Sequence, residues 1–339
     1  MRIVLCFPAE PHHLDAIARA APAAEIIDAG QTRIASELPT ADIFCGHAKV
    51  PVPWDAVVHQ GRLRWIQSTA SGVDHCLVPS VVESDILVTS VSGVLADQVA
   101  EHTIALLTGL LRSMPDFYRA QQARQFDRLA TGELHYRRVG IVGLGGVGRR
   151  LAELLAVFHT RIVATDWCPV DRPDHVEALW PPDRLADLLA FAEIVILCAP
   201  LNQHTRGMLD ARAMAQMGRG SILVNVARGP LVVTDDLIAA LDDGHLAGAA
   251  LDVTEPEPLP PASRLWDFPN VVITPHVGGQ ASWRYDRITA FFCDNLVRYR
   301  NRQSLRNLVD KHLGFPLRAA SCGDVTGAGT ATDQWLPPT

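Results

Sequence analysis

Arg228, Glu257 and His276 each stand where an apolar run gives way to turn residues. An arginine offers a planar fork of N–H donors suited to a carboxylate. A histidine beside a carboxylate is a proton donor whose charged form is favoured near neutral pH. Together they could hold an acid and deliver a proton to a neighbouring oxygen. Upstream lies Gly143-Leu144-Gly145-Gly146-Val147-Gly148, after an apolar run and before a helical pattern over Arg149–Val157. In such a loop Gly143 permits a tight turn and Gly145 lets the backbone approach a pyrophosphate. Gly148 lets helix and strand pack closely. The helix N-terminus adds free N–H groups and a positive dipole end. Asp166 closes the next run, 18 residues after Gly148. A carboxylate there accepts from ribose hydroxyls and repels a 2′-phosphate, so the expected cofactor is NAD rather than NADP.

Each feature alone has a plainer explanation. A glycine cluster can be a turn, a histidine after proline a loop cap, and Glu257 in its proline-rich loop a solvated charge. Their order along one β/α series argues for a shared crevice, because ligands in such sheets bind beyond the carboxyl ends of the strands.

The elements that must position these residues read as short buried strands alternating with helical patterns. Arg2–Phe7, Glu25–Asp28, Ile43–Cys45, Leu63–Ser68 and Leu87–Ser90 form a first series. Val139–Gly143, Arg161–Asp166, Glu193–Ala199, Ser221–Val226, Ala249–Val253 and Val271–Thr274 form a second. Helices are expected over Asp97–Leu111, with Asp97 as N-cap, over Asp116–Arg128, and over Gln280–Arg300. The fold class is α/β, with parallel sheets covered on both faces. The first series is too short to supply all its helices, so the last helix is expected to return to it. The expected domains are 1–96, a coenzyme domain at 97–281, a return to the first domain at 282–318, and a polar tail at 319–339. Segments near Val94–Asp97 and Gly279–Trp283 would carry the hinge.

The 339 residues are 48% hydrophobic and 20% charged, enough apolar content for real cores and against disorder. Net charge is −7 and no basic cluster exceeds two neighbours, against a nucleic-acid or anionic-membrane partner. The longest apolar runs fall far short of the ~20 residues a membrane helix needs. Seven cysteines, an odd number with no C-x-x-C, fit a reduced cytoplasmic setting without a metal site or disulfide frame.

The segments STASGVDH (68–75), VAEHTIALLTGLLR (99–112), VGIVGLGGVG (139–148), CAPLNQHTRG (198–207), ILVNVARGPLV (222–232), AGAALDVTEPEPL (247–259) and NVVITPHVGG (270–279) closely resemble the D-2-hydroxyacid dehydrogenase family, glyoxylate/hydroxypyruvate reductases in particular. The resemblance implies a Rossmann-type coenzyme domain inserted into a flavodoxin-like substrate domain, with the active site between them. It implies hydride exchange between NAD(H) and a small 2-keto acid/D-2-hydroxy acid pair. By the same resemblance Arg228 binds the substrate carboxylate, Glu257 pairs with His276, and the backbone at Ser71 and Gly72 helps hold the acid. Gly146, Val147, Asp166, Pro200, Thr205, Val226, Ala227 and Asp252 fall on family coenzyme positions, alongside Arg228 and His276. A homodimer is the family expectation. Lys49, Trp167 and the Leu134–Arg138 lead-in depart from the usual pattern and obscure substrate choice. Alternatives within the fold are phosphoglycerate dehydrogenase, for which the tail looks too short, and an NADH-sensing corepressor. Formate dehydrogenase is disfavoured because it carries glutamine where Glu257 stands.

Overall fold

The computed structural model describes residues 1–169 and 171–317. The expected tail at 319–339 and Cys322 lie outside them. The first series forms five strands: β1 (Arg2–Cys6), β2 (Glu25–Asp28), β3 (Ile43–Gly46), β4 (Trp65–Ser68) and β5 (Leu87–Thr89). They pair in the order β2-β1-β3-β4-β5, and every pairing is parallel. This is the flavodoxin-like order. Alternate side chains point to opposite faces. Val4, Phe44 and Ile66 therefore enter one core, with Ile34, Val57 and Val88. Ile3, Leu5, Ile43 and Trp65 enter the other.

That second face is covered by two helices from opposite ends of the chain. The Pro11–Ala20 helix supplies Ile17, and the Arg284–Arg300 helix supplies Phe292 and Leu296. The expected return of the last helix is thus met. Trp65, fully buried, lies 5.4 Å from the Phe292 ring and 5.3 Å from Tyr299. Its indole N–H donates to Thr89 Oγ1 at 2.7 Å. Asp286 Oδ1 pins the returning helix by accepting from His12 Nε2 at 2.6 Å and His13 Nε2 at 2.8 Å.

The second sheet has seven parallel strands: β6 (Arg138–Val142), β7 (Arg161–Thr165), β8 (Ala178–Trp180), β9 (Ile194–Leu197), β10 (Ser221–Asn225), β11 (Leu246–Leu251) and β12 (Val271–Ile273). Their order, β8-β7-β6-β9-β10-β11-β12, reverses direction between β6 and β9. That switch point opens a crevice at the carboxyl ends of those strands. β8 was not among the expected strands: it is three residues long at the sheet edge, with too short an apolar pattern to read.

Several expected boundaries move. Asp97 is not an N-cap. It lies inside the Ala96–Leu111 helix, whose cap position is Leu95. Its carboxylate instead bridges Arg150 Nε at 2.8 Å and Arg287 at 3.4 Å, tying the glycine-loop helix to the returning helix. The Gly146–Ala156 helix begins three residues early, inside the loop itself. The polar helix runs Met114–Gln122 and ends before Arg124, which takes a left-handed φ of 57°. The last helix starts at Arg284, four residues later than expected, after a turn.

Candidate active site

The two sheets face each other across a cleft of about 2230 Å³. Gly143, at the end of β6, has φ +95°, and a Cβ there would lie 2.7 Å from Ala199 N. A Cβ on Gly148 would meet Gly143 O at 2.2 Å, so glycine is required where the helix seats on the turn. Gly145 differs. Nothing lies within 4 Å of its would-be Cβ, so the loop presents a bare face to the cleft. Behind that face stand first-turn amides with no helical acceptor. Bare backbone and unpaired N–H groups fit a dinucleotide pyrophosphate.

Asp166 follows β7 directly. Its carboxylate accepts from Leu144 N at 2.6 Å and from Cys168 N at 3.0 Å, so it also braces the glycine loop. Pro200 and Thr205 meet along the next rim, where Thr205 Oγ1 donates to Pro200 O at 2.7 Å. Trp167 lines the cleft with its ring 5.2 Å from that of His204. Val226 and Ala227 line the centre, and Ala227 N donates to Asn225 Oδ1. Cys198 also lines the cleft, and burial pushes its thiol up to about 12.

Arg228 reaches from the end of β10 to the first sheet's Ser68–Asp74 loop. Its Nε donates to Asp74 Oδ1 at 3.1 Å and its Nη1 to Ala227 O at 2.7 Å. The guanidinium lies so close to Gly72 that a Cβ there would sit 1.8 Å from Nη2. Asp74, which sequence reasoning missed, feels burial that would raise its pKa. The Arg228 charge and hydrogen bond outweigh that and hold it below the usual carboxylate range. Ser71 and Gly72 line the cleft, and Gly72 abuts Arg228.

His276 Nδ1 and Glu257 Oε1 are 2.7 Å apart, with both side chains a little under half exposed. The loop that carries His276 is fixed from below by Asp252, which is only 3% exposed. Its carboxylate accepts from Thr274 Oγ1 at 2.7 Å and from Val277 N and Gly278 N, each at 2.9 Å. His102, from the long helix, adds Nε2 at 3.2 Å. His276 itself holds a left-handed φ of 54°, and its N–H donates to Asp252 O at 2.8 Å. Left-handed backbone held in place by surrounding contacts recurs at functional sites. Gly229 joins the third member. A Cβ there would lie 1.9 Å from Thr254 O, so the Arg228 turn abuts the loop that carries Glu257. Arg228, Glu257 and His276 all line the one cleft.

The family model "D-isomer specific 2-hydroxyacid dehydrogenase, NAD binding domain" matches residues 104–278. The chain belongs to the D-isomer specific 2-hydroxyacid dehydrogenases. It is an NAD(P)-dependent oxidoreductase of that family, whose chemistry is hydride exchange between a nicotinamide and a 2-hydroxy acid/2-keto acid pair. A glyoxylate reductase of Thermofilum pendens is 33% identical over 261 residues, 74% of this chain and 76% of that protein. A D-isomer specific 2-hydroxyacid dehydrogenase of Xanthobacter autotrophicus, solved with NADPH and MES, superposes with TM-score 0.79 at 28% identity. That alignment covers 93% of this chain and 99% of the other. The NAD-dependent formate dehydrogenase of Staphylococcus aureus, solved with NAD, gives TM-score 0.75 at 26% identity over 92% and 98%. Among the described residues no helix is long and apolar enough to cross a membrane.

Proposed function

We propose that the protein reduces a 2-keto acid to the D-2-hydroxy acid with NADH, reversibly, in the cleft between the two sheets. The observation that carries this reading is the 2.7 Å His276–Glu257 pair on the cleft that Arg228 also lines. When bound, the nicotinamide supplies the hydride. Arg228 receives the substrate carboxylate, exchanging its single bond to Asp74 for a two-pronged one, with amides near Ser71 and Gly72 assisting. His276 Nε2, the ring nitrogen away from Glu257, delivers a proton to the carbonyl oxygen and takes it back in oxidation. Glu257 fixes the ring orientation and favours the imidazolium. Asp252 holds the His276 loop rather than touching the reacting atoms.

NAD over NADP is part of the proposal and rests on Asp166, whose carboxylate would repel a 2′-phosphate. So is the division into a discontinuous substrate domain, 1–96 with 282–318, and a coenzyme domain, 97–281. A homodimer is proposed through the segment after the long helix, where Tyr118, Phe126 and Tyr136 are 60%, 90% and 73% exposed. Large apolar side chains left this exposed mark a candidate interface. A cytoplasmic setting is supported by the six free cysteines among the described residues.

The deciding experiment adds 2-keto acids to purified protein and follows NADH oxidation. Turnover that disappears in His276→Ala is expected. Tight NADH binding with no turnover on any 2-keto acid would mark a cofactor sensor instead.

A further inference from the structure

Facing the glycine loop, the substrate side of the cleft carries two cations that the reaction above does not use. Arg284 opens the returning helix and lines the cleft. Its Nε is buried with no hydrogen-bond partner, and its guanidinium lies 5.5 Å from the centre of the Tyr285 ring. No carboxylate pairs with it among the described residues. Lys49 follows β3 on the same cleft, exposed and likewise without an acidic partner there. Nearby arginines differ: Arg298 and Arg306 also line the cleft, but both pair with Asp294, at 3.1 and 3.3 Å. Four of the cleft's acids are also committed, while Asp28 and Asp171 line it as well. Asp74 holds Arg228, Glu257 holds His276, and Asp166 and Asp252 hold backbone amides.

Arg284, Lys49 and Arg228 act on one ring. His47, which lines the cleft at the end of β3, is shifted down from its ordinary pKa first by burial and then by these cations, against the pull of Asp74. Its ring stacks 3.9 Å from that of His75. The His47 ring therefore borders a patch whose charge comes from Arg284 and Lys49. A buried guanidinium nitrogen without an acceptor is costly. A guanidinium that lines the cleft with no acid beside it is placed to receive a substrate anion.

We propose that the substrate is a 2-keto acid with a second anionic group on C3, a carboxylate, sulfonate or phosphate, received by Arg284 and Lys49 while Arg228 holds the first carboxylate. This inference rests on the reading of the cleft as a keto-acid reductase. Glyoxylate has no C3 and would leave both cations idle.

The test compares kcat/KM, with NADH, for oxaloacetate, 3-sulfopyruvate and 3-phosphohydroxypyruvate against pyruvate, hydroxypyruvate and glyoxylate. At least one dianion should exceed every monoanion by ten-fold or more, and which dianion wins identifies the group. Charge-assisted contacts of this kind correspond to roughly 10- to 100-fold in affinity. Arg284→Gln should therefore lower the dianion-to-monoanion ratio by about that factor, and Lys49→Gln by less because that side chain is exposed. A monoanion preferred by the wild type, or a ratio unmoved in Arg284→Gln, overturns the inference while leaving the reductase reading intact. No turnover on any 2-keto acid overturns both. If Arg284→Gln fails to fold, the wild-type ranking with Lys49→Gln decides.

Discussion

Gly72→Ala should disable the enzyme while sparing the fold. The added Cβ would stand 1.8 Å from Arg228 Nη2, 2.6 Å from Cζ and 2.9 Å from Asp74 Oδ1. Ordinary carbon contacts begin near 3.4 Å, so the guanidinium must retreat by about 1.6 Å. The obstruction is the far end of a flexible side chain, and Gly72 has no left-handed φ, so its backbone accepts alanine. The Arg228–Asp74 pair that is disturbed is 22% and 40% exposed. Pairs so open to water contribute about 0–1 kcal/mol, so Tm should fall by no more than a few degrees. Catalysis has no such slack. Misplacing a substrate-binding group by ~1 Å can cost 10²-fold, and a backed-off fork also loses its two-pronged grip. We expect kcat/KM for the keto acid to fall by about 10²-fold or more, with KM raised and NADH affinity near wild type. Steady-state kinetics, NADH titration and a thermal melt on one preparation measure all three. A variant within three-fold of wild type in kcat/KM would refute the assignment of Arg228 as the carboxylate anchor.

His276→Ala should lower kcat by about 10²–10⁴-fold. Adding Glu257→Gln to it should lower kcat little further, because Glu257 works through the ring; additive losses in the cycle would separate the two residues. Asp166→Ala should raise the KM for NADH and the NADPH-to-NADH ratio of kcat/KM, and a wild type that already prefers NADPH would defeat the role given to Asp166. Burial and the neighbouring His47 hold His75 at a pKa of about 3, against an ordinary value of 6.5. The unfolded chain therefore takes up this proton first as pH falls. Stability from this site is complete above about pH 6.5 and declines toward pH 3 by up to about 1.4 kcal/mol per unit. His75→Asn should flatten the slope of Tm against pH in that window, and an unchanged slope would rule His75 out as its source.

The sheets were legible because their central strands are buried on both faces and read as unbroken apolar runs, such as Ile194–Leu197. β8 was not, because an edge strand of three residues carries no such run. The convergence of Arg228, Glu257 and His276 on one cleft, the candidate triad, was legible because strand ends in a β/α series share one side of the sheet. What holds the triad was less so. Asp252 was expected at the coenzyme; it lines the cleft, and its burial and three accepted hydrogen bonds also make it the anchor of the His276 loop. His102 lies 172 positions from Thr274, to which it bonds, and no local pattern announces such a contact. Asp74 sat within a matched segment, yet its link to Arg228 spans 154 positions. Asp97 misled because an acid at a helix start serves an N-cap or a distant arginine equally well. Here Leu95 takes the cap position and Asp97 meets Arg150 and Arg287.

The returning helix also has a consequence for synthesis on the ribosome. Gln67 on β4 waits for Asn295, 228 positions later, to donate to its side-chain oxygen. Until then the face bearing Ile3, Leu5, Ile43 and Trp65 lacks Phe292 and Leu296, half of its cover. At about 5–20 residues per second that is a wait of roughly ten to fifty seconds, with an apolar sheet face open to water. The second sheet, by contrast, lies wholly between Arg138 and Ile273 and can close on itself as it emerges. The middle of the polypeptide therefore matures before its beginning. Nascent chains stalled short of residue 284 should carry a protease-resistant glycine-loop unit behind an aggregation-prone leading segment that holdase chaperones would bind.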